Sequence, residues 1–339
     1  DLDEEKPAIF RFRITPPFWS TLWFKALSAL LIAFAIFGYI KWRERKLRSE
    51  REILENKVKE RTEELMEQKR QMELVNLEVI SKNKEIEDKN NDLNSSIRYA
   101  LTIQQSYFPA LSELHHLNDS FIYHAPRDIV SGDFYWFKFI DDKMVISISD
   151  CTGHGVPGAF MSLIGMTLLD MVIAKDKILN PAEALKKIDR GIIKAFENSD
   201  TESNDGMDMA LVTIDFKMKK LYYAGAFRPL WFVHNGEITE YKATKTSLGG
   251  SFEVKEKDFE LVELDYEEGD CIYMSSDGYA DQFGGEDKKK FKSKTLKEML
   301  LSISQKPMSE QKEIVDHRLI EWKGILDQVD DVLVFGARL

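Results

Sequence analysis

From residue 43 to residue 105 the chain contains neither proline nor glycine, and charged residues dominate. The two strongest helix breakers are thus absent over many turns, and the stretch reads as one continuous helix. Val58, Leu65, Met72, Val79, Ile86, Leu93 and Ala100 recur at every seventh position, forming one seam of a heptad. The second seam holds Leu54, Val75 and Ile103, but also Arg61, Gln68, Lys82 and Lys89. A parallel dimeric coiled coil with a deliberately weak seam is expected, in which two packings stay close in energy. A passive spacer helix is the other reading. Pro109 ends the helix.

What precedes this helix is apolar. Residues 18–40 are long enough to cross a bilayer, and residues 26–40 carry no charge. Lys25 lies near one end, where its stem can reach an interface. Trp19, Trp23, Tyr39 and Trp42 flank the run, as interfacial aromatics do. Lys41, Arg43, Arg45, Lys46 and Arg48 follow against Glu44 alone, which orients everything after residue 41 towards the cytoplasm. A single-pass protein of the cytoplasmic (inner) membrane is therefore expected. Phe10, Phe12 and Ile14 alternate with polar residues before Pro16-Pro17, the pattern of one strand. The first residue is Asp1, and no signal peptide is present; a piece of a longer or trimmed protein is expected.

Downstream, apolar runs and amphipathic stretches alternate. Strands are expected near 121–125, 134–140, 144–150, 209–216, 221–226, 230–233, 259–264, 271–276 and 332–337. Helices are expected near 157–174, 181–196, 295–304 and 309–322. An α+β fold of two sheets with helices outside, an αββα sandwich, accommodates them. The formal net charge of −11 argues against a nucleic-acid partner, which needs a basic face. Cys151 and Cys271 lie in or beside apolar runs and are expected to be buried free thiols.

Four acidic stations stand at the ends of apolar runs. Asp133 follows Ser131-Gly132 and opens Phe134-Tyr135-Trp136-Phe137, whereas Asp150 closes residues 144–149 and begins Asp150-Cys151-Thr152-Gly153-His154-Gly155. Paired strands with a carboxylate at one end of each can bring both to one sheet edge, where they repel unless a cation intervenes. Hard divalent ions take such oxygen ligands. Asp277-Gly278 repeats the logic after residues 271–276, and Asp330-Asp331 precedes Val332-Leu333-Val334-Phe335.

The strings SGDFYW and DCTGHGVPGAFMS resemble the SpoIIE-type branch of the metal-dependent serine/threonine protein phosphatases, the PPM family that includes the RsbU-like stress phosphatases. The resemblance spans residues 96 to 339. It implies two Mn²⁺ or Mg²⁺ ions held by Asp133, Asp150, Asp277, Asp330 and the backbone carbonyl of Cys151, and a water nucleophile in place of a Cys or Ser. It also implies a phosphorylated STAS-like, anti-anti-sigma-type partner. Asp208 resembles an acidic residue that supports a further ion; capping a turn is its other reading. His154 is a general-acid candidate or a turn stabiliser. Arg127 and Arg228 can grip phosphate by paired hydrogen bonds. The segment AGAFRPLW departs from the AGHNP-like form common among relatives.

RFRITPPFWSTLWF resembles the membrane junction of propeller-type sensor receptors. The expected order is the end of an extracytoplasmic sensor (1–17), a membrane helix (18–40), a dimeric coiled-coil linker (41–108) and the phosphatase domain (109–339). The linker is expected to act on the site through residues 96–107. A non-catalytic dimeric relay and hydrolysis of small phosphoesters are the competing functions.

Overall fold

The computed structural model describes residues 15, 17–197, 205–250 and 256–339. The strand expected around Phe10 lies outside them. The chain divides into two compact units, one up to Asp88 and one from Lys89 to Leu339.

A short 3-10 turn, Phe18–Ser20, leads into helix α1, Leu22–Tyr107, of 86 residues. The expected single helix is thus present, and it also includes most of the apolar run. An 18-residue window near its start has a mean hydropathy of 1.8 and is not buried, so this segment is long and apolar enough to cross a membrane. Val58, Leu65, Met72, Val79, Ile86 and Leu93 are all exposed on the single chain.

The second unit runs β1 (Asp119–Ala125), β2 (Phe134–Ile140), β3 (Lys143–Cys151), α2 (Gly155–Leu169), α3 (Pro181–Phe196), β4 (Gly206–Asp215), β5 (Lys220–Ala226) and β6 (Leu230–His234). It continues β7 (Glu237–Tyr241), β8 (Leu248–Gly249), β9 (Val262–Asp265), β10 (Cys271–Ser275), α4 (Gly278–Asp281), β11 (Phe283–Gly284) and β12 (Lys289–Lys290). Helices α5 (Ser293–Ile303) and α6 (Met308–Lys323) precede β13 (Val332–Arg338). One sheet has the order β1-β13-β10-β6-β7, and the other β2-β3-β4-β5-β9 with β8 against β4.

Three apolar clusters explain the layering. Phe137, Ile146, Ile148 and Val212 of one sheet meet Ile122, Phe232, Met274 and Phe335 of the other between the sheets. Phe134 and Leu211 face Met166, Leu185 and Ile188 of α2 and α3. Tyr273 and Val334 face Leu296 and Leu300 of α5 and Val315 of α6. Strands buried on both faces read as continuous apolar runs, which is why they stand out in the sequence. The result is the expected αββα sandwich.

Two details differ from expectation. Helix α2 opens at Gly155 and widens into a π-helical segment at Asp170–Lys175, whose Asp170 accepts from the Trp136 indole at 3.1 Å. The strand expected at 259–264 is shifted to Val262–Asp265, because Phe259 is committed to the core beneath α2 and α3.

Candidate metal centre

The β2–β3 hairpin pairs Phe134 with Ser149, so Asp133 and Asp150 fall side by side at one sheet edge. Strand β4 adds a third carboxylate, since Asp208 is the direct register partner of Asp150. Like charges directly opposite one another destabilise a sheet. Burial, then the Asp150 charge, pushes Asp133 well above the usual carboxylate range. Burial also pushes Asp150 up to about 7; Arg228 opposes the shift, while Asp277, Asp330 and Asp208 add to it.

The facing sheet supplies the other two stations. Antiparallel pairing of Ser275 with Val334 sets the end of β10 beside the start of β13, so Asp277 meets the Asp330-Asp331 pair. Burial raises Asp330, and the charges of Asp277 and Asp331 add to it. Ser276 ties the sheets together: its side chain hydrogen-bonds Asp133, and its hydroxyl accepts from the Leu333 N–H at 3.0 Å.

The two neighbours at the terminal pair have different work. Asp330 is part-exposed and accepts from its neighbour's N–H at 2.8 Å. Asp331 is buried and accepts from the backbone N–H groups of Arg127 and Gly132, each at 2.7 Å. It thereby anchors the loop that carries Asp133. Sequence reading singled out Asp330 and gave Asp331 no role, although the doubled acid was visible.

Arg228 enters this cluster. Its Nη2 lies 2.8 Å from Asp150, 3.1 Å from Asp208 and 2.8 Å from Asp277. Asp208 also accepts from the Ser247 hydroxyl at 2.6 Å. Among the described residues no three of His, Cys, Asp and Glu converge by themselves at metal-ligand spacing; the three carboxylates that do converge meet on this guanidinium.

Two buried side-chain atoms have no partner: Oδ2 of Asp133 and Nε of Arg228. An ionised oxygen at a site 2 % exposed needs a cation or a donor. All the donors gathered here are hard oxygens at one edge, and this set fits Mg²⁺ or Mn²⁺.

The glycines serve packing of backbone on backbone. A Cβ at Gly158 would lie 2.2 Å from the Gly153 carbonyl and 2.9 Å from the Gly132 Cα, and one at Gly132 would lie 2.7 Å from that same carbonyl. The turns bearing Asp133 and Asp150 are therefore pressed together over the start of α2. Cys151 ends β3, and burial raises its thiol well above the usual range, which suits an inert side chain. His154 sits at the N-cap position of α2, and its Nδ1 lies 2.9 Å from Asp128, outside the carboxylate cluster. Arg127 gives a guanidinium N–H to the Val329 carbonyl at 2.9 Å.

One further contact was not legible in the sequence. Gln104 is the buried residue of α1. Its Nε2 donates to the Ser131 carbonyl at 2.6 Å and meets the Ser162 hydroxyl at 2.8 Å, while its Oε1 accepts from the Ser131 N–H at 3.3 Å. Nearby His124 is kept neutral, burial lowering it to about 4, and its Nε2 faces the Ser131 hydroxyl at 3.2 Å. The last turn of α1 thus grips the residue two before Asp133. Replacing Gln104 by Ala strands buried groups of Ser131 and is expected to destabilise the protein by about 2–3 kcal/mol, read by urea unfolding.

The comparisons agree with this geometry. The family model for Stage II sporulation protein E (SpoIIE) matches residues 140–339. The phosphoserine phosphatase RsbU of Bacillus subtilis (strain 168) is 25% identical over 190 residues, covering 55% of this chain and 54% of RsbU; the chain therefore spans about half the length of that relative. The SiaA-PP2C domain of Pseudomonas aeruginosa superposes with a TM-score of 0.67 at 31% identity, covering 74% of this chain and 98% of that domain. The PP2C phosphatase domain and regulatory-domain fragment of SpoIIE from Bacillus subtilis has a TM-score of 0.54 at 20% identity, with 65% of this chain and 63% of that one covered, a likeness of fold. The chain belongs to the SpoIIE family of metal-dependent, PP2C-type protein phosphatases.

Proposed function

We propose that this chain hydrolyses phosphoserine or phosphothreonine on a regulatory protein partner, with two Mn²⁺ or Mg²⁺ ions held by Asp133, Asp150, Asp277, Asp330 and the Cys151 carbonyl. Divalent cations in such a site activate water and neutralise charge on the phosphoryl oxygens. The chain's own residues hold the donors rigidly: Asp331 fixes the Asp133 loop, Ser276 joins the two sheets, and Ser247 orients Asp208. The observation that carries this reading is the partnerless Oδ2 of buried Asp133, beside carboxylates whose protonation burial favours. His154, turned to Asp128, is given a role in the turn.

The same proposal extends to the rest of the chain. RsbU, a phosphoserine phosphatase by name, supports a phosphoprotein substrate of the STAS kind. Residues 18–40 act as a single membrane anchor with the phosphatase domain, 109–339, on the cytoplasmic side. Residues 41–108 form a dimeric coiled coil, which would cover the exposed seam from Val58 to Leu93. The linker signals to the metal centre through its last turns, where Gln104 holds Ser131.

The test uses the full chain in detergent with an aryl phosphate. Hydrolysis is expected to vanish with a chelator and to return with Mn²⁺; activity indifferent to both would remove the proposal. Acid should oppose the metal. Cations bind the ionised carboxylates, so binding displaces the proton that Asp150 holds up to about 7. Calorimetry from pH 8 to pH 6 should show Mn²⁺ affinity falling by up to about ten-fold per pH unit and per proton displaced. Without metal the sign reverses. The native state holds this proton where the unfolded chain, with an ordinary value of 3.8, releases it. Its stabilising contribution is complete below 3.8 and is lost as pH rises towards about 7.

A further inference from the structure

Arg228 is the cation to which Asp150, Asp208 and Asp277 turn in this structure, and Nη2, which carries two hydrogens, is shared among three carboxylates. Its side chain is only 13% exposed. A divalent ion takes carboxylate oxygens at about 2.0–2.2 Å. The guanidinium contacts Oδ2 of each of the same three residues at 2.8–3.1 Å. A metal ion and this nitrogen therefore claim the same oxygens, and their like charges oppose joint occupation.

The backbone beneath Arg228 is fixed. Phe227 is held in the left-handed region at φ 55, and its N–H donates to the Thr244 carbonyl at 2.9 Å. The Tyr223 hydroxyl donates to the Arg228 carbonyl at 2.7 Å. Gly225 leaves room for this clamp, since a Cβ there would lie 2.2 Å from the Tyr223 hydroxyl and 2.6 Å from the Arg228 carbonyl. Movement is thus left to the side chain. Its buried Nε–H has no acceptor, so the present pose leaves part of the guanidinium unsatisfied. A phosphoryl group is the anion whose geometry matches a guanidinium fork.

We infer that Arg228 sets the affinity of this centre for divalent cations by competing for the oxygens of Asp150, Asp208 and Asp277, and that a cation entering there redirects its guanidinium to the phosphoryl group. The inference rests on the metal-dependent reading above. It makes the arginine of AGAFRPLW, in the segment that departs from the common form, a partner exchanged between the resting carboxylates and the substrate.

The experiment is Mn²⁺ calorimetry on the full chain, wild type against Arg228→Gln and Arg228→Lys, with near-UV circular dichroism to certify each fold. Arg228→Gln is expected to bind Mn²⁺ about ten-fold or more tightly, within the usual range of such couplings. Once loaded with Mn²⁺, it should bind inorganic phosphate about ten-fold more weakly. Arg228→Lys keeps the charge on a single-headed group and should fall between; it decides the matter if the glutamine variant does not fold. Mn²⁺ affinity equal to or weaker than wild type in a folded variant overturns the competition. Tighter Mn²⁺ binding with unchanged phosphate affinity overturns the exchange alone. Absence of Mn²⁺ binding by every form, wild type included, would instead remove the metal-dependent reading itself and this inference with it.

Discussion

Replacing Asp150 by Asn lowers kcat/KM for an aryl phosphate by on the order of a thousand-fold and, at pH 8, raises the melting temperature of the chelated protein. The two effects have one cause. Asp150 lies opposite Asp208 in the β3–β4 register and beside Asp133, and its exposed fraction is only 19%. Burial dominates the rise of its carboxyl to about 7, so the fold disfavours the ionised form despite the Arg228 ion pair. Asparagine has the same shape and no charge, and it relieves that penalty. After allowance for the lost ion pair, about 1–3 kcal/mol of stability is expected, or roughly 2–4 °C for each kcal/mol in a domain of this size. Activity moves the other way, because a neutral amide is a poor ligand where a hard cation requires negative oxygen. Calorimetric melting with chelator, beside initial rates with Mn²⁺, reads both. A lower melting temperature would show that the Arg228 pair outweighs burial and repulsion, and an unchanged rate would remove Asp150 from the centre.

Which parts of this site were legible beforehand follows from how local their signals are. Asp133 and Asp150 announce themselves because each adjoins a strand whose pattern fixes both its extent and the end at which the acid falls. The extents 134–140 and 181–196 are found as expected, the second marked by Asn180 capping and Pro181 in the first turn. Gln104 gave no such signal. A single glutamine near the end of a polar helix looks like its exposed neighbours, and its partners Ser131 and Ser162 lie 27 and 58 positions away. Asp331 was hidden for a related reason: its acceptors reach back 204 and 199 positions to Arg127 and Gly132. Strand β7, with sequence EITEY, is an edge strand exposed on one side and lacks the apolar run that marks buried strands. The destination of Arg228 depends on three carboxylates from three different strands or their ends, so no window of sequence contains it.

Glycine in the Asp277-Gly278 turn was expected to let backbone approach an ion or substrate, and the structure gives it a different task with a larger consequence. Gly278→Ala is expected to destabilise the protein by about 3 kcal/mol or more and to weaken Mn²⁺ binding by over about a hundred-fold. Helix propensity alone points the other way, since Ala in place of Gly at the start of α4 favours helix by up to about 1 kcal/mol. Sterics decide. A Cβ at Gly278 would stand 1.9 Å from the Asp331 carbonyl oxygen and 2.9 Å from its carbon. Both sides of that clash are backbone, so no rotamer change relieves it, and the turn after β10 must separate from the turn before β13. That separation moves Asp277 away from Asp330. It also pulls on Asp331, whose carboxylate holds the N–H groups of Arg127 and Gly132, so the displacement reaches Asp133 on the other sheet. One methyl group would thus disturb three of the four stations. Gly236→Ala is the control: at φ +79 it is strained but meets nothing within 4 Å, and it lies in the β6–β7 turn. It should lose roughly 1 kcal/mol of stability with Mn²⁺ affinity intact. If Gly278→Ala behaved like this control, contact between the two turns would not be what places Asp277 beside Asp330, and the strand register alone would have to do so.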